Sequence, residues 1–230
     1  MLFRKARNKM VRFLFGEIMK QNEDILALQH LIPLSPVYLP WSQSAMRPSA
    51  IVGVLNEIIL NNRSCILECG GGISTNYIAS LIKKRGGHLY TIESDKSWAK
   101  ILNNLLEAQN LGEFVTVIYA PLKECDIALG KMYWYDETVI TKNLSDITID
   151  LLLVDGPPAY QQGQELSRYP ALPKFKKYLK DDFCIILDDI DRPGEKKILK
   201  IWEKDFRIIF EKRYVNGNIA IGRSKASFTV

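Results

Sequence analysis

The sequence predicts an α/β fold, with a doubly wound, mainly parallel sheet of seven strands, helices on both faces and an antiparallel terminal hairpin. Aliphatic strand-like runs alternate with helix-like runs along most of the chain, which is typical of parallel sheets that are covered on both faces. Near the carboxyl terminus, two short strand-like runs flank Asn216 and Gly217. This dipeptide favours a tight hairpin turn, so the last two strands are expected to form a hairpin that adds an antiparallel strand at one edge of the sheet.

The first half of the domain contains three such strand-helix units. Pro48 and Ser49 begin a helix over residues 49–60, and Gly86 and Gly87 end the helix that follows the first strand. In chain order, we expect a strand at 64–70, a helix at 74–86, a strand at 88–93, a helix at 95–110 and a strand at 114–120. Residues 121–146 lack clear periodicity, so we treat them as an excursion from the sheet with one short helix.

The second half continues the alternation and closes the sheet. A fourth strand at 150–155 is followed by a long loop. We expect a helix at residues 170–180, which begin with a proline. A fifth strand at 183–189 and a charged amphipathic helix at 195–205 come next, and the terminal hairpin pairs residues 206–215 with 218–224.

Bulk composition indicates one globular domain with a substantial core. The chain has 230 residues, of which 47% are hydrophobic and 25% charged. Its apolar runs are far shorter than the ~20 residues that cross a bilayer. The four cysteines are scattered without paired metal-ligand spacing (Cys65, Cys69, Cys125, Cys184). Reduced thiols are therefore expected, and with them a cytoplasmic protein that is either free or peripheral to a membrane.

Much of the net charge of +5 lies in the first twenty residues, where six basic residues face one acid, Glu17 (Arg4, Lys5, Arg7, Lys9, Arg12, Lys20). Apolar residues lie between them, a mixture that permits a basic amphipathic helix. Such a helix can lie on an anionic membrane, pack on its own domain or contact a second subunit. We divide the chain into a helical extension and connector at 1–48 and the main domain at 49–230.

Three consecutive glycines, Gly70 to Gly72, follow the first strand of the sheet, directly after Glu68 and Cys69. Ligands of open α/β sheets bind at the carboxyl ends of the strands. Glycine lets the backbone turn tightly or approach a ligand closely, and the following helix offers free N–H groups to an anionic group. This turn is therefore a candidate binding site, although a tight turn without a ligand would use the same residues.

Glu93 ends the second strand, 23 residues after Gly70 (93 minus 70). An acid about 20 residues after a glycine turn can accept hydrogen bonds from both hydroxyls of a ribose. The alternative is that Glu93 only ends the strand and that Ser94 or Asp95 caps the next helix. A nicotinamide dinucleotide fits less well, because its fingerprint needs glycine where Thr75 stands and because Glu68 would repel a pyrophosphate. A cofactor with a cationic amino-acid end and no phosphate, such as S-adenosylmethionine (SAM), fits better.

These motifs resemble those of class I SAM-dependent methyltransferases. ILECGGGIST is similar to the first motif of that family and YTIESD to the second, and the resemblance extends from residue 49 to the carboxyl terminus. Ser74 departs from the family, since many members have a third motif glycine there. The resemblance implies that the glycines contact the methionine part of SAM, that Glu68 orders its ammonium end, that Glu93 holds the ribose and that Pro121 lies near the adenine. The full set of cofactor contacts expected on this basis is Glu68, Gly70, Gly71, Gly72, Ser74, Glu93, Ser94, Pro121 and Asp155.

Three acids, Asp155, Asp188 and Asp189, end the fourth and fifth strands. Adjacent strands would bring them to one rim, where like charges need proton uptake or a bound cation. Oxygen ligands suit Mg²⁺ or another divalent cation. The resemblance to catechol O-methyltransferase implies such a metal site, with Asp189 in place of that enzyme's Asn. The alternative has no metal: Asp191 or a neighbour caps the next helix, and Asp155 alone faces the cofactor.

The stretch VDGPPAY indicates which kind of atom accepts the methyl group. Amino-methyltransferases that act on bases have Asp or Asn directly before Pro-Pro and an aromatic residue, whereas Gly156 intervenes here. VDGPP resembles instead a set of poorly characterised bacterial methyltransferases. We therefore expect O-methylation of a small-molecule or sugar-type hydroxyl, with Asp155 as the catalytic residue and Arg168 and Arg192 available to a carboxylate or phosphate of the acceptor. The alternatives are N-methylation of a nucleic acid or another amine, and nucleoside binding without catalysis.

Overall fold

The computed structural model describes residues 2–127 and 129–229, with the backbone alone for residues 2–10, 12 and 13. The helices are α1 (Leu2–Leu31), α2 (Pro48–Leu60), α3 (Ile73–Arg85), α4 (Lys96–Ala108), α5 (Glu137–Leu144), α6 (Ala171–Phe175) and α7 (Pro193–Phe206). The strands are β1 (Cys65–Cys69), β2 (His88–Glu93), β3 (Val115–Tyr119), β4 (Leu122–Glu124), β5 (Tyr133–Tyr135), β6 (Ile149–Val154), β7 (Leu179–Leu187), β8 (Phe210–Arg213) and β9 (Ile219–Arg223).

Seven strands form one sheet in the order β3-β2-β1-β6-β7-β9-β8, and the predicted fold class is confirmed. The first five strands of that order run parallel, whereas β9 is antiparallel to both of its neighbours. The chain builds outward from β1 to β3 and then returns to the other side of β1, so the strand order reverses between β1 and β6. Parallel pairing puts Cys69 beside Val154, and the turns that follow β1 and β6 therefore meet at this switch point, where ligands of such sheets bind.

The hairpin differs from the prediction in one respect, because the antiparallel strand is not at the edge. β9 lies between β7 and β8. Its residues 219–222 are buried, whereas β8 exposes Glu211 and Lys212. The more apolar strand thus occupies the interior position and the charged strand forms the edge, as solubility requires of an exposed sheet edge.

A second difference lies in the excursion at 121–146. β4 and β5 form a small antiparallel sheet, with Leu122 opposite Tyr135, ahead of the expected short helix, α5. Each strand has only three residues, too few to display the alternation from which a strand is predicted.

The core has two apolar layers, one on each face of the sheet. Along β6, Leu152 and Val154 contribute to one layer, and Leu151 and Leu153 contribute to the other. All six residues of β6 are buried, which explains why five of them are aliphatic. The first layer also contains Trp134 and Trp202, and the second is built on α2 and α3.

The amino-terminal helix α1 packs on the domain through its carboxyl-terminal half. Ala27 and Leu31 are buried, and the Asp24 carboxylate pairs with Arg47 at 2.9 Å, just before α2. Most of the basic residues of the predicted amphipathic helix lie outside the described side chains (Arg4, Lys5, Arg7, Lys9, Arg12). Within the described ranges, every helix is too short or too polar to cross a bilayer.

Candidate active site

A cavity of about 340 Å³ opens at the switch point, beyond the carboxyl ends of β1, β2, β6 and β7. The glycine turn after β1 and the ends of β2 and β6 form one part of its wall. The loop after β6 and the connector before α2 form the rest. The predicted residues that line it are Gly70, Gly71, Gly72, Ser74, Glu93, Ser94, Asp155, Arg168, Asp189 and Arg192. The topology thus brings together most of the site residues that were predicted from separate parts of the sequence.

The glycine turn is closely packed from behind and open on one side. Gly70 has a positive φ of 89°, a conformation that favours glycine. A Cβ on Gly71 would lie 2.7 Å from Leu102 Cδ2, whereas a Cβ on Gly72 would meet no described atom within 4 Å. The backbone of Gly72 is therefore open to the cavity, whereas Gly70 and Gly71 are required by the packing of the turn. Trp98 holds the turn by donating its indole N–H to the Gly71 carbonyl at 2.7 Å; it also lines the cavity and was not predicted, since helical tryptophans usually pack in cores.

Glu68 lies behind this turn, fully buried, and is not part of the cavity wall. Its two carboxylate oxygens accept hydrogen bonds from the hydroxyls of Ser74 and Thr75, each at 2.5 Å. Burial raises the pKa of Glu68 to about 7, and these hydroxyls partly oppose the shift. Glu68 therefore shapes the turn and holds Ser74, which does line the cavity, so any effect of Glu68 on a ligand is indirect.

Glu93 ends β2 at the cavity wall. One of its oxygens accepts the backbone N–H of Asp95 at 2.7 Å, and burial raises its pKa. Asp95, not Ser94, caps α4, because its carboxylate accepts the N–H of Trp98 at 2.8 Å. Ser94 lines the cavity beside Glu93. Glu93 thus presents a carboxylate to the cavity from a fixed position at a helix start.

Pro121 lies outside the cavity wall. Its carbonyl accepts the backbone N–H of Asp136 at 2.9 Å, which ties the end of β3 to the start of α5. The backbone of Pro121 therefore stabilises the small β4–β5 sheet and does not contact the cavity.

The three predicted acids do meet, since carboxylate oxygens of Asp155, Asp188 and Asp189 lie within 4.8 Å of one another. Arg168 reaches the same cluster from the loop after β6. Its guanidinium lies 3.1 Å from Asp155 Oδ1 and 3.1 Å from Asp189 Oδ2, with its side chain only 4% exposed. The guanidinium also donates to the backbone carbonyls of Asp155 and Asp188. These internal partners engage both terminal nitrogens of Arg168, whereas its Nε–H has no hydrogen-bond partner among the described residues. Arg168 also lines the cavity, and its contact with the acceptor stays a prediction.

The cluster extends to two further charged groups. The buried Glu195 places its Oε1 atom 3.8 Å from Nε of Arg168. At the rim of the cavity, the guanidinium of Arg192 pairs with Asp189 at 2.8 Å. Asp189 itself has a positive φ of 61°, which Asp and Asn tolerate better than most residues. The metal-free alternative included a helix cap by Asp191 or a neighbour. The N-cap residue of α7 is Arg192, and its side chain makes no capping hydrogen bond.

Burial and crowding raise the pKa values of the two acids that end β6 and β7. Burial raises the pKa of Asp155 well above its usual range, the neighbouring Asp188 carboxylate adds to this, and Arg168 opposes it. The pKa of Asp188 rises to about 7, by burial first and by Asp189 second. Carboxylate oxygens of the two residues lie within 4.8 Å of each other, so protonation of one lowers the charge repulsion on the other. Of the pair, Asp155 faces the cavity.

Gly156 has a packing role in the loop after β6. A Cβ here would come within 2.9 Å of the Cα and N atoms of Gly70 and would clash with the Tyr135 hydroxyl. In the other direction, a Cβ on Gly70 would lie 3.1 Å from the Asp155 carbonyl group. The two turns at the switch point thus contact each other backbone to backbone, which requires glycine at both positions.

The sequence of the chain matches a family described as a methyltransferase domain over residues 67–190, more than half of its length. The chain belongs to this methyltransferase family. The matched range begins in β1 and ends just after Asp188 and Asp189, so it spans both ends of the cavity. The predicted class I SAM-dependent methyltransferase is confirmed.

Solved structures show the same fold at low sequence identity. A provisionally assigned caffeoyl-CoA O-methyltransferase from Staphylococcus aureus has a TM-score of 0.57 at 15% identity, covering 92% of this chain and 97% of its own. An O-methyltransferase from Bacillus cereus in complex with SAH has a TM-score of 0.53 at 16% identity, covering 88% and 90%. The O-methyltransferase TomG from Streptomyces achromogenes, involved in tomaymycin synthesis and in complex with SAM, has a TM-score of 0.52 at 14% identity, covering 85% and 95%. No curated protein matches this methyltransferase in sequence.

Proposed function

We propose that this methyltransferase transfers the methyl group of SAM to a hydroxyl oxygen of a small-molecule or sugar-type acceptor, and that it does so without a resident metal. The observation that carries the proposal is the Asp155–Asp188 pair, which presents a carboxyl with a raised pKa to the cavity at the switch point. The O-methyltransferases with the same fold support the choice of oxygen by analogy of fold.

The cavity fits the cofactor in two respects. Gly72 has room in front of it, so the backbone of the glycine turn is accessible to the amino-acid part of SAM, with Ser74 beside it. Glu93 faces the cavity from the end of β2, where its free lone pairs suit the two ribose hydroxyls. Bound SAM supplies an activated methyl group on a cationic sulfur, and the neutral thioether SAH is left after transfer.

Asp155 is the proposed proton acceptor. Methyl transfer to a hydroxyl forms a C–O bond, breaks the C–S bond of the sulfonium and releases the hydroxyl proton. A base with a raised pKa is well suited to take that proton near neutral pH. Arg168 holds the Asp155 carboxyl at 3.1 Å, and Asp188 lies behind it, so the acceptor oxygen would be oriented by a fixed carboxylate.

The residues do not fit a resident divalent cation. The spacing of the three carboxylates would allow one, but the guanidinium of Arg168 already lies between two of them. This buried arginine carries the positive charge that a metal would supply, and its N–H groups occupy the carboxylate lone pairs that a metal would need. A dication beside it would be repelled. We therefore assign Asp155, Asp188 and Asp189 to an arginine-centred cluster.

The acceptor would enter from the side of the connector and the loop after β6. Four polar or aromatic residues line this part of the cavity: Ser42 and Ser44 of the connector, Tyr160 of the loop, and Arg192. Hydroxyls and an aromatic ring suit a sugar or a phenol. Arg192 has a 39% exposed side chain, and it can meet an anionic group on the acceptor.

The first experiment measures ligand binding by calorimetry with SAH and with NAD, each with and without Mg²⁺. We expect SAH to bind and its affinity to be independent of Mg²⁺. Binding of NAD but not of SAH would overturn the cofactor assignment.

The second experiment uses SAM with a labelled methyl group and a panel of phenols, catechols, sugars and amines, in EDTA and in Mg²⁺. We expect O-methyl products in both buffers and none with Asp155→Asn. Product that requires Mg²⁺ would contradict the metal-free site, and methylated amines alone would contradict oxygen as the acceptor.

A further inference from the structure

Helix α1 carries an apolar stripe that its own domain leaves uncovered. One face of the helix contacts the domain: Asp24 forms an ion pair with Arg47, and Ala27 and Leu31 are buried. Another face of the helix and of the turn that continues it exposes six aliphatic side chains, each between 37% and 69% exposed (Val11, Leu14, Ile18, Ile25, Leu28, Ile32). A contiguous apolar surface of this kind on a globular domain indicates an interaction site.

The stripe has the spacing of a coiled-coil seam. Val11, Ile18, Ile25 and Ile32 are seven residues apart, and Leu14 and Leu28 come three residues after the first and third of them. These are the a and d positions of a heptad, with β-branched residues at every a position, a pattern that favours two parallel strands. The remaining d position is Gln21, which is exposed.

The charges beside the stripe distinguish a protein partner from a membrane. A helix that lies on anionic lipid is flanked by Lys and Arg. Between residues 11 and 32 the chain has three acids, Glu17, Glu23 and Asp24, and two basic residues, Arg12 and Lys20, and Lys20 is paired with Glu17 at 2.9 Å. The seam is therefore not flanked by the excess of Lys and Arg that a helix on an anionic bilayer has, and the basic residues at positions 4 to 9 precede it.

We propose that two copies of this chain associate through α1 as a parallel, two-stranded coiled coil, with Val11, Leu14, Ile18, Ile25, Leu28 and Ile32 in the seam. A symmetric dimer uses the same surface on both copies, so twelve aliphatic side chains are removed from water at once. The seam extends from Val11 to the end of α1 at Leu31, about 30 Å at 1.5 Å per residue, and the contacts of each helix with its own domain are retained.

Analytical ultracentrifugation over a micromolar range of concentration tests the proposal. We expect the protein to sediment as a dimer and the double variant Ile18→Glu, Ile25→Glu as a monomer, with unchanged SAH affinity. Ile209→Glu is the matched control, because Ile209 is 89% exposed outside the stripe, and it should remain a dimer. A monomeric wild-type protein, or a dimer that survives the double variant, overturns the proposal.

Two further measurements fix the arrangement and the kind of partner. In a parallel seam the two copies of residue 21 face each other, so Gln21→Cys should give an oxidised interchain disulfide that the wild-type protein does not form; a dimer without this crosslink overturns the parallel arrangement. Vesicles of phosphatidylglycerol provide the membrane test. Wild-type protein that is monomeric and sediments with them, while the double variant does not, identifies a lipid-binding face and overturns dimerisation.

Discussion

The two ends of the cavity are built in different ways. At the end of β1 the wall is mainly backbone, where Gly70 to Gly72 turn within a few residues and Glu68 braces them from behind. At the ends of β6 and β7 the wall consists of side chains that come from three separate segments and converge on Arg168. A local backbone turn tolerates little change in residue size, whereas a buried charge cluster tolerates little change in charge.

The largest effect is expected from Arg168→Met at the acidic end. It removes the cation from a group of buried acids, and breaking a buried ion pair on one side costs about 3–5 kcal/mol. Urea unfolding at neutral pH measures the loss. Arg192→Met is the matched control, because Arg192 pairs with the same Asp189 from an exposed position and should cost less than about 1 kcal/mol. Equal losses in the two variants would show that Arg168 does not hold the cluster.

The difference between the two ends also explains how far the sequence could predict the site. The glycine turn and Glu93 could be found because each is a local signal at the end of a strand, and the alternation of strands and helices determined which ends meet. Arg168 could not be placed in the same way, since nothing within a loop of 15 residues or so tells toward which partner a long side chain turns. Gly156 was interpreted as evidence on the acceptor, but its packing against Gly70 accounts for it without any acceptor.

The junction between the two ends gives the second prediction. Gly156→Ala puts a methyl group against Gly70 and the Tyr135 hydroxyl, and overpacking of this kind costs about 1–3 kcal/mol. Gly72→Ala is the matched substitution in the open part of the turn, where a Cβ meets no described atom within 4 Å. We expect urea unfolding to show the loss for Gly156→Ala alone, and calorimetry to show weaker SAH binding for Gly72→Ala. A Gly72→Ala protein that binds SAH normally would mean that the ligand does not approach the turn.

The third prediction concerns pH and the acidic end. The pKa of Asp188 is about 7 in the folded protein against an ordinary value of 3.8. The folded state therefore holds more protons than the unfolded state between these values, so stability falls as pH rises from about 4 to about 7. Asp188→Asn removes this contribution and should flatten the dependence by up to about 4 kcal/mol, at about 1.4 kcal/mol for each pH unit between the two pKa values.

Urea unfolding at a series of pH values checks this prediction. The pKa of Glu68, at the glycine end, is also raised to about 7. Glu68→Gln should therefore remove a separate contribution to the fall of the unfolding free energy with pH. A wild-type protein whose stability rises over this range would show that the carboxyls are ionised in the folded state, with Arg168 dominating over burial.

The smallest effect is expected at the glycine end, from Glu93→Gln. The amide retains an oxygen that can accept the N–H of Asp95, so the start of α4 should be unchanged and the unfolding free energy should shift by less than about 0.5 kcal/mol. The negative charge is lost, and with it the charge-assisted acceptance of two ribose hydroxyls by one group. We expect SAH affinity to fall about tenfold, which corresponds to about 1.4 kcal/mol. Asp95→Asn is the control, because Asp95 caps α4 outside the cavity wall and should leave affinity unchanged. If calorimetry gives both variants the affinity of the wild-type protein, Glu93 does not bind the ribose, and the acidic end alone would have to account for recognition of the cofactor.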